Sequence, residues 1–194
     1  MDYILTLDGE ILLWIQMYLR NEVLTPVLTF ITHLGDKGLF WIVLSLLLLI
    51  KKSTRKTGFL SLLSLLITFL IVNVCMKNGF ARIRPYETLT DLLFLIEKQS
   101  DFSFPSGHSA SSFASAVVLF KRLPKRYGIP ILILAVLIAF SRIYMGVHYP
   151  TDILAGILIG SIVALLIVYV NKRIEKKKIM TNNGKKVLEN KFKK

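Results

Sequence analysis

The sequence predicts an all-α, polytopic membrane protein: a helical bundle of about six transmembrane helices with an N-terminal amphipathic helix. Three observations predict it. Of the 194 residues, 54% are hydrophobic, and the mean hydropathy of +0.59 exceeds that of ordinary soluble domains. Three apolar runs are nineteen or twenty residues long, enough to cross about 30 Å of hydrocarbon at about 1.5 Å per residue. The basic residues behind the net charge of +13 fall mainly in short runs between apolar ones.

Residues 1–20 place Ile4, Leu5, Ile11, Leu12, Ile15 and Leu19 mostly on one side and Asp8, Glu10 and Gln16 elsewhere. An interfacial helix is the first reading and a true span the second. With Asp2, Asp8 and Glu10 and no basic n-region or small-residue cleavage site, this start does not read as a cleaved signal peptide. Residues 21–171 are the expected membrane domain. EVLTPVLTFITHL (22–34) is its weakest run, while GLFWIVLSLLLLI (38–50) and SGHSASSFASAVVLF (106–120) are short and flanked by charge. Short spans are tolerated where neighbours shield them or the bilayer thins. The full-length runs are 58–76, 127–145 and 151–170. The lone Cys75 lies in one of them and reads as packing. Residues 172–194 are a basic tail, expected to be loose and cytoplasmic.

Charge then sets the orientation. KKSTRK (51–56), KRLPKR (121–126) and NKRIEKKK (171–178) are separated by even numbers of crossings, so they share one face, and the positive-inside rule makes it cytoplasmic. Anionic-lipid contact also suits these runs. No basic face interleaved with aromatics appears, so a nucleic-acid partner is not expected. Residues 77–105 and 142–150 must then lie on the outer face of the cell membrane. That puts Lys77, Arg82 and Arg84 of KNGFARIRP on the side where the rule disfavours them. A local anion would explain the exception.

Three outer-face stretches fit a phosphate site. In KNGFARIRP, six residues separate Lys77 from Arg84-Pro85; Lys77 supplies a point charge and Arg84 a planar fork for phosphate oxygens. In FPSGHSAS, Ser106, Gly107 and His108 follow a proline and open an apolar run. A helix start there offers backbone N–H groups, a hydroxyl and an unhindered approach to an anion. In SRIYMGVHYPTD, Arg142 adds a second fork, and Asp152 follows His148 with three residues between. Asp152 is thus placed to orient one ring nitrogen and leave the other outward, the pairing used by catalytic triads. Pro150 suits the first turn of the last helix and leaves the His148–Asp152 geometry open.

This triple pattern resembles the type 2 phosphatidic acid phosphatase superfamily, with all three motifs in order and at full spacing. The resemblance implies a membrane lipid phosphatase acting on undecaprenyl diphosphate, phosphatidylglycerophosphate or phosphatidate. It implies His148 as the nucleophile that forms a phosphohistidine, Asp152 as its orienter, and His108 as the acid that protonates the leaving oxygen and then activates water. It assigns Lys77, Arg84, Ser106, Gly107 and Arg142 to the phosphoryl oxygens. The expected partners are a lipid phosphate and the bilayer; no cofactor is expected, and no oligomeric state is specified.

Plainer readings compete for several residues. His33 reads as an interfacial or packing residue, or as a neighbour of the site. Two histidines and Asp152 are ordinary zinc ligands, yet Lys and Arg in the same cluster would repel a cation, so no metal is expected. Arg82 reads equally as a contact to the substrate headgroup or as a snorkel to lipid phosphates. Gly156 and Gly160, facing Ser109, Ser112 and Ser115, read as close helix packing. The loop 86–104, with Glu87, Asp91, Glu97 and Asp101, is expected to cover the site and set selectivity. Two other classes of protein would keep such cations: an anion or lipid-phosphate transporter, which needs no His148–Asp152 pair, and a vanadium-dependent peroxidase, whose known kind are larger and soluble.

Overall fold

The computed structural model describes residues 2–192, with side-chain surroundings for 3–181. The described residues form helices and no strands: α1 (Asp2–Tyr18), α2 (Leu24–Leu34), α3 (Leu39–Ile50), α4 (Arg55–Phe69), α5 (Lys77–Phe80), α6 (Pro85–Thr88), α7 (Gly107–Arg122), α8 (Lys125–Tyr144) and α9 (Pro150–Phe192). A 3-10 turn, Asp36–Gly38, separates α2 from α3, and a π-helical stretch, Leu70–Met76, joins α4 to α5.

Three helical paths are long and apolar enough to cross a membrane: Arg55–Thr88, Lys125–Tyr144 and Pro150–Thr181. A fourth arises if α2 and α3, bent by 44° at the intervening turn, count as one broken span. These are three or four of the six or so spans read from the sequence. The runs 22–34 and 38–50 continue one path across a bend, because Gly38 takes a left-handed conformation (φ 67°) that a glycine adopts at no steric cost. At 16 residues, α7 is shorter than the three long paths, yet it runs through the middle of the bundle from the α5–α7 connection to the basic end at Arg122, packed by α4, α8 and α9.

The polarity of α1 also departs from expectation. Leu12 and Ile15 are buried, but so is Asp8, while Ile4, Leu5 and Ile11 are exposed. A carboxylate turns inward because Arg82 donates to it at 2.7 Å and the Thr151 N–H at 3.1 Å. The tail expected to be loose continues α9 as far as Phe192; Lys and Glu are good helix formers, and no proline interrupts them. Residues 193–194 of that tail, and all its side chains from 182 on, lie outside the described residues.

Small and hydroxylated side chains knit the bundle together. Ser109, Ala110 and Ala114 of α7 are buried against Gly156 and Gly160 of α9. A Cβ on Gly160 would stand 2.3 Å from the Ala110 carbonyl oxygen and 2.9 Å from the Ala114 nitrogen, so only glycine permits this approach. Ser45 donates to Ser61 at 2.7 Å, Ser61 and Ser115 lie 2.8 Å apart, and the Trp41 indole donates to Ser112 at 2.9 Å. Such pairs satisfy polar groups where no water reaches. Gly160→Ala is expected to cost about 1–3 kcal/mol through overpacking. Thermal unfolding in detergent checks this, with Gly79→Ala, whose Cβ meets nothing within 4 Å, as the neutral control.

One end of the bundle gathers the three basic runs. Glu175 on α9 accepts from Lys56 at 2.6 Å and lies 3.7 Å from Arg122. The opposite end carries the α5–α7 connection and the turn 145–149. There Arg20, just after α1, donates to the carbonyls of Tyr144 and Leu93.

Candidate active site

The site lies at that second end. The π-helical stretch adds a residue to the winding of its helix, a feature frequent at functional sites, and ends at Lys77, which is buried. Arg84 caps the one-turn α6, with Pro85 at its first position. Ser106 is the N-cap of α7: its Oγ accepts from the Ser109 N–H at 3.4 Å and the Ser109 hydroxyl at 3.1 Å. Gly107 and His108 are the first two residues of that helix. Arg142 occupies the last turn of α8, His148 the connection to α9, and Pro150 opens α9 with Asp152 in its first turn.

Lys77, Arg84, Gly107, His108, Arg142 and His148 all line one cavity of about 650 Å³. Its remaining wall is largely apolar: Ile42 from α3, Leu62, Leu66 and Phe69 from α4, and Val72 from the π stretch. Ile42, Leu66 and Phe69 are also exposed on the outside of the bundle, so the cavity combines a cationic end with a side open toward the lipid-facing surface.

Arg84 is the hub of the cationic end. Its Nε donates to the Asp101 carbonyl at 2.8 Å, its Nη2 to the Asp101 carboxylate at 2.5 Å, and its Nη1 to the Val147 carbonyl at 2.7 Å. The same Nη1 lies 3.4 Å from His148 Nε2. Lys77 donates to the other carboxylate oxygen of Asp101. Burial alone would raise the Asp101 carboxyl, but the Lys77 ammonium and the Arg84 charge overcome it and hold the pKa at about 2. Any anion entering this end of the cavity would therefore compete with an ionised carboxylate for the same two cations. Arg142 differs: it is 1% exposed, donates through Nη1 to Thr32 at 2.8 Å, and has a buried Nε with no hydrogen-bond partner.

His148 is buried at 1% exposure. Its Nδ1 is 3.4 Å from Ser103 Oγ and 3.5 Å from Asp152 Oδ2. The direct imidazole–carboxylate hydrogen bond thus gives way to a three-way contact, because Asp152 has other donors. Ser103 donates to its Oδ2 at 2.5 Å and the Tyr149 N–H at 2.9 Å, the latter a capping contact at the start of α9. Arg82 donates to its Oδ1 at 2.6 Å. Burial first, then Arg84, Arg142 and Lys77, push the His148 imidazole well below its ordinary pKa of 6.5. It is therefore neutral, the form in which a ring nitrogen is nucleophilic.

Not every residue singled out in the sequence faces the cavity. Asp152 stands behind His148, and Ser106 is occupied as a cap. Arg82 does not line the cavity: its guanidinium joins Asp8 to Thr151 and Asp152 and lies over the Tyr149 ring at 3.9 Å. It is spent on protein contacts, whereas the sequence offered it to substrate or lipid phosphates. Three participants escaped the sequence reading. Asp8 and Ser103 lie outside every motif, and Asp36, 2.9 Å from His108, neighbours a histidine of no fixed role; Asp101 was named in the sequence only as one of four acidic residues of the 86–104 loop.

The PAP2 superfamily profile matches residues 58–176. An undecaprenyl-diphosphatase of Sulfolobus acidocaldarius is 36% identical over 84% of this chain and 78% of that relative. Phosphatidylglycerophosphatase B of Bacillus subtilis is 34% identical over 81% of this chain and 80% of its own. The crystal structure of a transmembrane PAP2-type phosphatidylglycerolphosphate phosphatase from Bacillus subtilis superposes with a TM-score of 0.75 at 32% identity, covering 90% of this chain and 89% of that one.

Proposed function

The chain belongs to the PAP2 superfamily as a multi-pass membrane lipid phosphatase, and from that premise we propose that it hydrolyses a lipid diphosphate or phosphomonoester through a phosphohistidine on His148. Undecaprenyl diphosphate and phosphatidylglycerophosphate, the substrates named for two of its relatives, are the first candidates, with phosphatidate third. The observation that carries the reading is the two-sided cavity. Two imidazoles and three cations form one end, and an apolar wall reaching the outside of the bundle can take an acyl or prenyl chain. A soluble phosphate ester has no use for that wall.

In the first step the His148 Nε2 lone pair forms the P–N bond while the P–O bond to the leaving group breaks. The electron pair goes to the leaving oxygen, which His108 protonates. Lys77, Arg84 and Arg142 neutralise the equatorial oxygens, with Asp101 displaced, and the Gly107 N–H at the start of α7 adds a donor. In the second step water attacks phosphorus, its proton passes to His108, and the P–N electron pair returns to His148. The positive-inside reading of the basic end puts this site on the extracytoplasmic face and the C-terminus in the cytoplasm. Cleavage of an impermeant phosphate ester by intact cells tests that orientation.

Purified protein in detergent is expected to release phosphate from one or more lipids of a polyprenyl and glycerophospholipid panel. Vanadate should inhibit it as a mimic of five-coordinate phosphorus, and chelators should leave the rate unchanged. Loss of release in both His108→Ala and His148→Ala separates an enzyme from a transporter. Phosphate release that persists in both variants would overturn the assignment.

A further inference from the structure

His33, Asp36 and His108 form a connected set that the reaction above does not use in full. Asp36 opens the turn between α2 and α3. Its Oδ1 lies 2.9 Å from His108 Nε2, and its Oδ2 2.9 Å from His33 Nδ1. The backbone is shaped for this contact. A Cβ on Gly35 would stand 2.6 Å from His108 Cδ2 and 2.7 Å from an Ile138 methyl, so glycine lets the His108 ring lie against the α2–α3 turn.

Resting on the reading of His108 as general acid and base, we infer that Asp36 is its positioning residue, fixing the ring through Nε2–H and balancing the imidazolium, with His33 bracing the carboxylate. Nδ1 of His108 then remains for the leaving oxygen and for water; among the described residues it has no hydrogen-bond partner. Charge gives the carboxylate its importance. Lys77, Arg84 and Arg142 line the same cavity as His108, and His148 faces it too, so a protonated His108 has cations around it. Asp101 is committed to Lys77 and Arg84, which leaves Asp36 as the carboxylate in contact with His108. Asp36 and His33, both more than half exposed at their side chains, also border a second, open cavity of about 700 Å³ that reaches His108. Protons can exchange with solvent there without passing the phosphate.

The test compares leaving groups. With purified full-length protein, kcat/KM reports the reaction through departure of the leaving group, a step that needs a proton for a lipid phosphate but not for p-nitrophenyl phosphate. Asp36→Asn is expected to lower kcat/KM about 10²-fold on the lipid and less than about threefold on p-nitrophenyl phosphate, the split expected when proton donation fails. His108→Ala should show the same split, and His33→Ala a several-fold loss on the lipid alone. Equal losses on both substrates would reduce Asp36 to a structural contact, and an unchanged lipid rate would remove it altogether; either result overturns the inference. If instead the wild-type protein cleaves no lipid phosphate, the functional reading itself falls, and if His108→Ala shows no split, the acid role of His108 falls; either failure is told apart from that of Asp36.

Discussion

Phosphate release by purified His148→Ala protein is expected to fall by roughly 10⁶-fold, the scale reached when a nucleophile acting within a catalytic unit is deleted. Such a loss exceeds anything a packing defect at one buried residue would produce in protein that still folds, so it is to be read beside an unchanged thermal midpoint. A phosphoryl group trapped by alkaline quench on wild-type protein, labile to acid and missing from the variant, identifies the intermediate. The pH profile gives a second reading. Burial and the cations Arg84, Arg142 and Lys77 hold the His148 pKa well below 6.5. The neutral imidazole therefore persists as pH falls through 6.5, and its contribution is lost only at markedly lower pH. An acid limb in kcat/KM that tracks an ordinary imidazole would belong to another group.

Arg84→Lys is expected to lose about 10²–10³-fold in kcat despite keeping its charge, the cost of removing a preorganised donor to a developing oxyanion. The guanidinium reaches the Asp101 carbonyl and carboxylate, the Val147 carbonyl and the edge of His148 simultaneously. A single ammonium on a flexible stem cannot hold the loop, the α8–α9 connection and a phosphoryl oxygen together. The loss should fall mainly on kcat, because the fork is matched to charge that develops during the reaction. A variant within threefold of wild type would mean that Arg84 serves only as a point charge.

Much of this site could be read in the chain itself. Lys77, Arg84, Gly107, His108, Arg142 and His148 all line one cavity, and the even spacing of crossings agrees with the meeting of Lys56, Arg122 and Glu175 at the other end. The 86–104 loop was expected to cover the site, and through Asp101 it reaches Lys77 and Arg84. The bend that joins α2 to α3 and the polarity of α1 did not follow from the pattern. A run of eleven or twelve apolar residues looks the same whether it crosses alone or continues past a bend. A carboxylate among aliphatic residues looks solvent-facing until its buried partner is known.

The sequence by itself determined the helical membrane class, the clustering of basic charge at one end and the side chains proposed to bind phosphate. Hydrophobic run length, charge placement and motif spacing are properties of neighbouring residues. Only the tertiary structure decided that Asp101 holds Lys77 and Arg84, that Arg82 serves Asp8 and Asp152, and that Asp36 meets His108. Each is an ion pair or hydrogen bond between residues 17 to 74 positions apart. Buried charge takes whichever partner the packing of helices brings within reach, and local sequence carries no record of that choice.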